Sequence, residues 1–343
     1  MHKAGIIGHF GFGLNLANGQ TIKTKIITES LKEYDSDILT IDAHGGFKAI
    51  IPVVLGCIKS LLTCKNVVIM LTENGLKVTV PVLAILNKFF HRKLHYIVIG
   101  GWLPKFLDKQ DSLKKFLKEF NYIYVETNTM RLALEDKGFC NIVVMPNAKK
   151  LDILAENKLV TSTEMPLALC TFSRVMKEKG IETIVEIVKK INESLGKTAF
   201  KLDIYGQIDQ GQLQWFENLK KSFPEYISYG GVVAFDQSVS VLKNYFALIF
   251  PTHFFTEGIP GTIIDAYAAG VPVISAKWES FADVISEGET GFGYTFDDSS
   301  ELEHILRSCL KKPERVNMLK GNCLRCANAF SLNEVMKIFT NRL

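Results

Sequence analysis

The sequence has no apolar run that reads as a membrane span. Its best stretch, Ala49–Thr63 (AIIPVVLGCIKSLLT), is interrupted by Pro52, Gly56 and Lys59, whereas a spanning helix needs about 20 mostly apolar residues. It shows no export signal: MHKAGIIGHFGFG has a very short apolar stretch broken by glycines, with no cleavage site. It has no disulfide framework either. The 7 cysteines are odd in number and scattered, which suits buried thiols in a reducing compartment. Cys323 and Cys326 form a lone C-x-x-C with no second pair and no nearby His, and read as helix packing. Asp35-Ser36-Asp37 imitates a D-x-D metal motif but stands between a helix and a strand, at the wrong strand end, and reads as a solvated turn. A hydrophobic share of 47% with 22% charged residues excludes disorder as the main state. The expectation is a soluble, cytoplasmic chain without a bound metal.

A length of 343 residues favours two domains, and charge divides unevenly along it. Residues 1–160 hold 21 Lys and Arg against 14 Asp and Glu, a net of +7; residues 161–343 hold 19 against 22, a net of −3. An anionic surface should therefore meet the N-terminal half first.

Short apolar runs alternate with longer helical patterns. Strands are expected at 3–8, 37–41, 66–71, 94–99, 122–125 and 142–145, with helices at 20–33 and 49–62. Met145-Pro146-Asn147 stops the pattern. It restarts with strands at 167–172, 200–205, 226–229, 246–250 and 272–275 and helices at 178–195 and 212–221. Strands separated by helices of this length indicate parallel sheets covered on both faces. The expected division is a domain at 1–150, a linker at 151–165, a second domain at 166–328 and a C-terminal helix at 329–343 that crosses back to the first. Ligands of such sheets lie at the carboxyl ends of strands, in the loops that lead into helices.

Three of those loops carry chemistry. The first is Gly8-His9-Phe10-Gly11-Phe12-Gly13, leading through Asn18 and Gly19 to Gln20-Thr21. Its glycines let the backbone approach a ligand, and the following helix offers free N–H groups to an anion. Tight chain reversal would require glycines equally. The spacing is not G-x-G-x-x-G, and Asp42 is the nearest acid to a ribose position, so a nicotinamide site is poorly matched. The second loop places Arg174 and Lys179 five residues apart at a strand end and helix start. There they suit a diphosphate or, as readily, an exposed charged loop. The third runs from Phe250 through Glu257-Gly258-Ile259-Pro260-Gly261-Thr262 into an apolar helix carrying Asp265. Two carboxylates so placed can accept from two sets of hydroxyls, and the N–H groups of Gly258–Gly261 would meet a phosphate or sugar oxygen.

This third segment resembles the glycosyltransferase family 4 signature. The pattern is E-x7-E, a small-residue helix, then G-x-P-V at Gly270-Val271-Pro272-Val273 and an E-G-x-T-G-F run at Glu287–Phe292. Arg174 and Lys179-Gly180 match its R-x4-K-G element. The variant E-G-I-P-G-T-I-I-D, with Gly100-Gly101-Trp102-Leu103-Pro104, is similar to the branch that makes bacterial capsular, exopolysaccharide or O-antigen chains. The resemblance implies an α/β chain of GT-B type: two Rossmann-like, doubly wound parallel-sheet domains facing across a cleft. It implies a nucleotide-sugar donor, UDP-linked, on the C-terminal domain, transfer with retention, and no metal or other cofactor. Arg174, Lys179 and Glu257 would be catalytic. The donor would also meet Gly13, Gly231, Val232, Gly258, Ile259, Pro260, Gly261, Thr262 and, through ribose hydroxyls, Asp265. Gly11, Phe12, Gln20, Gly100, Gly101 and Trp102 would line the acceptor side.

Two departures stand out. Asp265 is one methylene shorter than the family's second Glu. The family's N-terminal-domain His is not matched either: Ile97-Val98-Ile99 runs straight into Gly100, and His95 lies inside the strand, where a structural role is expected. The stretch Lys88–Lys118 holds eight Lys and Arg against two Asp, interleaved with aromatic and aliphatic residues. It suits a surface dipping into an anionic inner leaflet, where a polyprenyl-linked saccharide acceptor would be found, or a solvated helix face over an ordinary core. Nucleic acid is not an expected partner. A GT-B nucleotide-sugar epimerase and a non-catalytic sugar-binding protein are the alternatives.

Overall fold

The computed structural model describes residues 1–14 and 19–343, so Asn18 of the first loop lies outside the described residues. The chain divides into two units, Met1–Asn147 with Leu332–Leu343, and Ala148–Ser331. Each is built on a six-stranded, all-parallel sheet with helices between strands.

In the first unit the strands are β1 (His2–Gly8), β2 (Ile38–Asp42), β3 (Cys64–Met70), β4 (Lys93–Ile97), β5 (Tyr122–Val125) and β6 (Ile142–Val144), in the order β2-β1-β3-β4-β5-β6. Ile6 pairs with Thr40 on one side and Val68 on the other. β1 and β3 run through the core with near-continuous apolar sequence, as a sheet covered on both faces requires. The helix Leu332–Thr340 belongs to this unit. Its Phe339 meets Tyr124 and His95 edge-on, with ring centroids 5.2 and 5.6 Å away. His95 is fully buried between Tyr124 Oη at 3.1 Å and Asn66 Oδ1 at 3.2 Å. Burial, with a smaller push from Lys93, lowers its pKa to about 3, so it is a neutral structural residue.

The second unit holds β7 (Leu167–Phe172), β8 (Phe200–Tyr205), β9 (Ile227–Gly231), β10 (Ala247–Phe250), β11 (Val273–Ala276) and β12 (Gly291–Tyr294), in the order β12-β11-β10-β7-β8-β9. β12 starts on the last two residues of the E-G-x-T-G-F run, where no strand was expected. Two glycines weaken the pattern there, yet Ile274 pairs with Phe292 across the ladder. The helix Ile181–Leu195 buries Ile181, Ile184, Val185, Val188 and Ile191 at helical spacing and stops at Gly196, which is left-handed with φ 63°.

Residues 148–165 are bonded into the second unit. Lys149 N–H donates to Phe330 C=O, Leu154 N–H donates to Ala268 C=O at 2.8 Å, and Leu151 and Ile153 pack on its core. The apolar stretch seen in the sequence is helical from Gly46 to Thr63, 18 residues of mean hydropathy 1.6. Its inner face (Val53, Gly56, Cys57, Ser60, Leu61) is buried and it connects β2 to β3, so it is a layer helix of the domain. Most of the apolar residues of Lys88–Lys118 also face the core: Leu103, Leu107, Leu113 and Leu117 are buried, and Trp102, Phe106 and Phe116 pack against them. Residues 102–117 therefore turn their apolar side chains inward, while Phe89 at the start of the stretch is exposed.

Candidate active site

In the second unit, chain order reverses at β7: β8 and β9 lie on one side, β10 to β12 on the other. The carboxyl ends of β7 and β10 thus frame a topological switch point, the position where open α/β sheets bind ligands. Lys177–Lys179 form a single turn after β7 and Gly180 follows. Gly180 has φ 67°, and a Cβ there would stand 1.9 Å from Pro251 O. Only glycine lets the two loops approach so closely. Gly206, after β8, is packed in the same way against Ser173 O.

That approach joins two of the predicted residues. Lys179 Nζ is ion-paired and hydrogen-bonded to Glu257 Oε1, with both side chains mostly buried. Thr252 Oγ1 donates to the same carboxylate oxygen at 3.1 Å and accepts from Phe254 N–H. The ammonium also lies 4.9 Å from the Phe254 ring centroid. Lys179 and Glu257 are therefore fixed by each other, by a hydroxyl and by an aromatic face. Arg174 stands apart from this pair. Its exposed guanidinium meets Asp209 Oδ2 at 2.6 Å, on the loop after β8.

The loop from Glu257 ends in the helix Gly261–Ala268. Gly258 and Ile259 are buried, and Pro260 takes the N-cap position. Thr262 Oγ1 is buried without a hydrogen-bond partner among the described residues. Asp265, expected to face ribose hydroxyls, is 5% exposed and paired with Lys149 Nζ at 2.5 Å. Burial raises its pKa; Lys149, and a hydrogen bond from Ser238, oppose the rise. Lys149 also lies 4.4 Å from the Phe235 ring centroid and close to Gly261, where an added Cβ would meet its side chain at 3.8 Å. The shortened acid is thus met by a lysine 116 residues away. Gly231 has φ 78° and its C=O accepts from Gly206 N–H, while Val232 beyond it is exposed.

In the first unit, the glycine-rich loop is shaped by Asp42. Its carboxylate accepts from Phe10 N–H at 2.9 Å, Phe12 N–H at 3.0 Å and His44 N–H at 2.9 Å. Partial burial pushes its pKa up, but the backbone donors, Gly11 included, outweigh this and hold it below the ordinary value. Asp42 is accordingly a loop-forming residue. Gly11 and Gly13 both have positive φ, and Phe12 is exposed and stacked on Phe10. Gln20 opens the next helix. His9 bonds Thr21 Oγ1 and His44 Nδ1, each at 2.8 Å, a pair that its sequence context did not suggest. Gly100 N–H donates to Glu126, which also holds the buried Lys23 at 2.5 Å. Gly101 is buried, and Trp102 Nε1 donates to Ile99 C=O. Among the described residues no cluster of His, Cys, Asp or Glu is arranged to hold a metal ion.

Fold and site together define the class: two Rossmann-like units of the GT-B type, with an ion-paired Lys and Glu at the second unit's switch point. Residues 166–312 match the family described as Glycosyl transferases group 1. Among solved structures, the chain is similar to sucrose-phosphate synthase from Thermosynechococcus elongatus (TM-score 0.76, 14% identity, covering 99% of this chain and 98% of that one). It is also similar to Anabaena HepE in complex with UDP-glucose (TM-score 0.73, 15% identity, 99% of each chain). The lipopolysaccharide outer core galactosyltransferase WaaB gives a TM-score of 0.71 at 15% identity, covering 99% and 98%. No curated protein matches the sequence.

Proposed function

We propose that the protein is a retaining, metal-independent glycosyltransferase of family 4 type. It would move a sugar from a nucleotide-sugar donor, UDP-linked, to a polyprenyl-linked saccharide in the synthesis of a bacterial surface polysaccharide. The observation that carries this reading is the Lys179–Glu257 pair, held by Thr252 where β7 and β10 end. The group 1 match over residues 166–312 and the UDP-glucose bound by HepE support it. Lys179, with Arg174 approaching from its exposed position, neutralises the departing diphosphate, and charge stabilisation at the leaving group supplies much of the rate. Glu257 accepts hydroxyls of the transferred sugar, and the N–H groups of Gly258–Gly261 meet its oxygens. The bond from the anomeric carbon to phosphate breaks, a bond from that carbon to the acceptor hydroxyl forms on the same face, and the hydroxyl proton passes to the diphosphate. The enzyme would work in the cytoplasm, at the inner face of the membrane.

Incubation with a panel of nucleotide sugars, scoring nucleotide release with and without a lipid-linked saccharide, tests this. Acceptor-dependent release with retained configuration is expected. Conversion of the donor sugar without acceptor would make the protein an epimerase. Binding without turnover would make it a sugar-nucleotide receptor.

A further inference from the structure

The helical segment Gly46–Thr63 presents to solvent the side chains that an interior helix would hide. Phe47 is 93% exposed, Ile51 71% and Leu55 61%, and Leu62 continues the same face. Ile51, Leu55 and Leu62 follow one another at helical spacing, opposite the buried Val53, Cys57 and Leu61. Gly56 fixes the segment against the sheet, since a Cβ there would stand 2.6 Å from Ile41 Cγ2. The helix Glu73–Phe90 packs beside it and adds Ile85 and Phe89, the latter 80% exposed. Arg92 Nε donates to Leu61 C=O at 2.9 Å and ties the ends of the two helices together. An exposed apolar face of this kind on a soluble fold marks a contact surface.

Charge identifies the partner. Lys48 and Lys59 are exposed within this segment, Lys65 is exposed just after it, and Lys88, exposed beside Phe89, lies 3.9 Å from Glu119; no Asp or Glu occurs between Ala43 and Thr72. An apolar stripe bordered by lysines matches an anionic bilayer, whose headgroups meet the ammonium groups while the side chains enter the boundary of the acyl region. We propose that Gly46–Thr63, with the end of Glu73–Phe90, is the surface by which the protein lies on an anionic membrane. The helix lies flat, because its inner face stays in the domain core. The proposal deepens the lipid-acceptor reading above and rests on it for its purpose, though not for its test.

The full-length protein is floated with vesicles of phosphatidylcholine and with vesicles of equal parts phosphatidylcholine and phosphatidylglycerol. Wild type should rise with the mixed vesicles and stay behind with the neutral ones. Ile51→Glu/Leu55→Glu should cut the bound fraction at least about tenfold, and Lys59→Gln about fivefold. Urea midpoints should be unchanged, since these side chains face solvent. Equal flotation with both vesicles, or no loss in the variants, overturns the proposal. So does a wild-type dimer in sedimentation that Ile51→Glu/Leu55→Glu makes monomeric, since a second copy would then cover the face. No sugar donor enters the assay, so its failure leaves donor turnover standing, and a failure of turnover leaves the flotation result standing.

Discussion

Lys149 and Asp265 meet as a buried ion pair in the second unit, the lysine from the segment after Asn147 and the acid from the helix Gly261–Ala268. A carboxylate buried to this degree is tolerated because a cation is within hydrogen-bond reach.

Removing that cation should expose the cost. Lys149→Met leaves Asp265 buried without its partner and should destabilise the protein by about 3–5 kcal/mol; Lys149→Met/Asp265→Asn should recover most of it. The pH dependence has a definite sign. A carboxyl whose folded pKa is raised favours the folded state below its unfolded value and loses that contribution as pH rises through the folded value. Burial raises Asp265 already, and the loss of Lys149 raises it further. Urea unfolding of Lys149→Met should therefore show a deficit that shrinks as pH falls from 7 toward about 4. A deficit independent of pH would show that the lysine acts by packing alone.

The Lys179–Glu257 pair makes a different forecast. Lys179→Ala should lower turnover by about 10²–10³-fold, the scale for deleting one stabilising group at a developing charge. Arg174→Ala, whose side chain is exposed and paired with Asp209, should lower both nucleotide affinity and turnover. Calorimetry with UDP and steady-state kinetics separate the two effects. Unchanged nucleotide binding in Arg174→Ala removes that residue from the donor site.

Gly180→Ala should be costly although it deletes nothing. The added Cβ would strike Pro251 O in a backbone conformation that disfavours side chains. A loss of about 3 kcal/mol or more is expected, with turnover falling too, because Lys179 is the preceding residue. Gly196→Ala is the control: its φ is also positive, but the space around it is open, so its loss should be about 1 kcal/mol. Similar midpoints for the two variants would refute the close approach of the loops.

His95 sets an acid limit on the first unit. Its folded pKa is lowered to about 3 from 6.5. Below pH 6.5 the unfolded chain therefore binds a proton that the folded chain refuses, and stability is lost as pH falls, by up to about 1.4 kcal/mol per unit. His95→Gln lacks this term. Between pH 6.5 and 5 its stability relative to wild type should improve by about 2 kcal/mol. Parallel curves would mean that the imidazole is protonated in place.

Much of the fold is legible along the chain because parallel strands buried on both faces are written as apolar runs, and the helices between them as amphipathic ones. β12 escapes that rule: Gly291 and Gly293 interrupt its pattern, and its place depends on pairing with β11. The site divides in the same way. Arg174, Lys179 and Glu257 stand at strand ends in loops whose glycines and charges are visible by spacing. Asp42 shows the limit: spacing marks it only as the acid nearest a ribose position, and the fold gives its oxygens to backbone N–H groups.

Local order along the chain, then, settles the alternation of strands and helices and the loops where chemistry gathers, because both follow from side-chain periodicity and turn residues. Which charges meet is settled by folding. Lys179 finds Glu257 across 78 residues and Lys149 finds Asp265 across 116, because the order of strands in a sheet carries distant loops to one edge. The same holds for the apolar face of Gly46–Thr63. Its composition is plain in the sequence, but which residues turn to the core and which to solvent depends on how the helix is seated against β2.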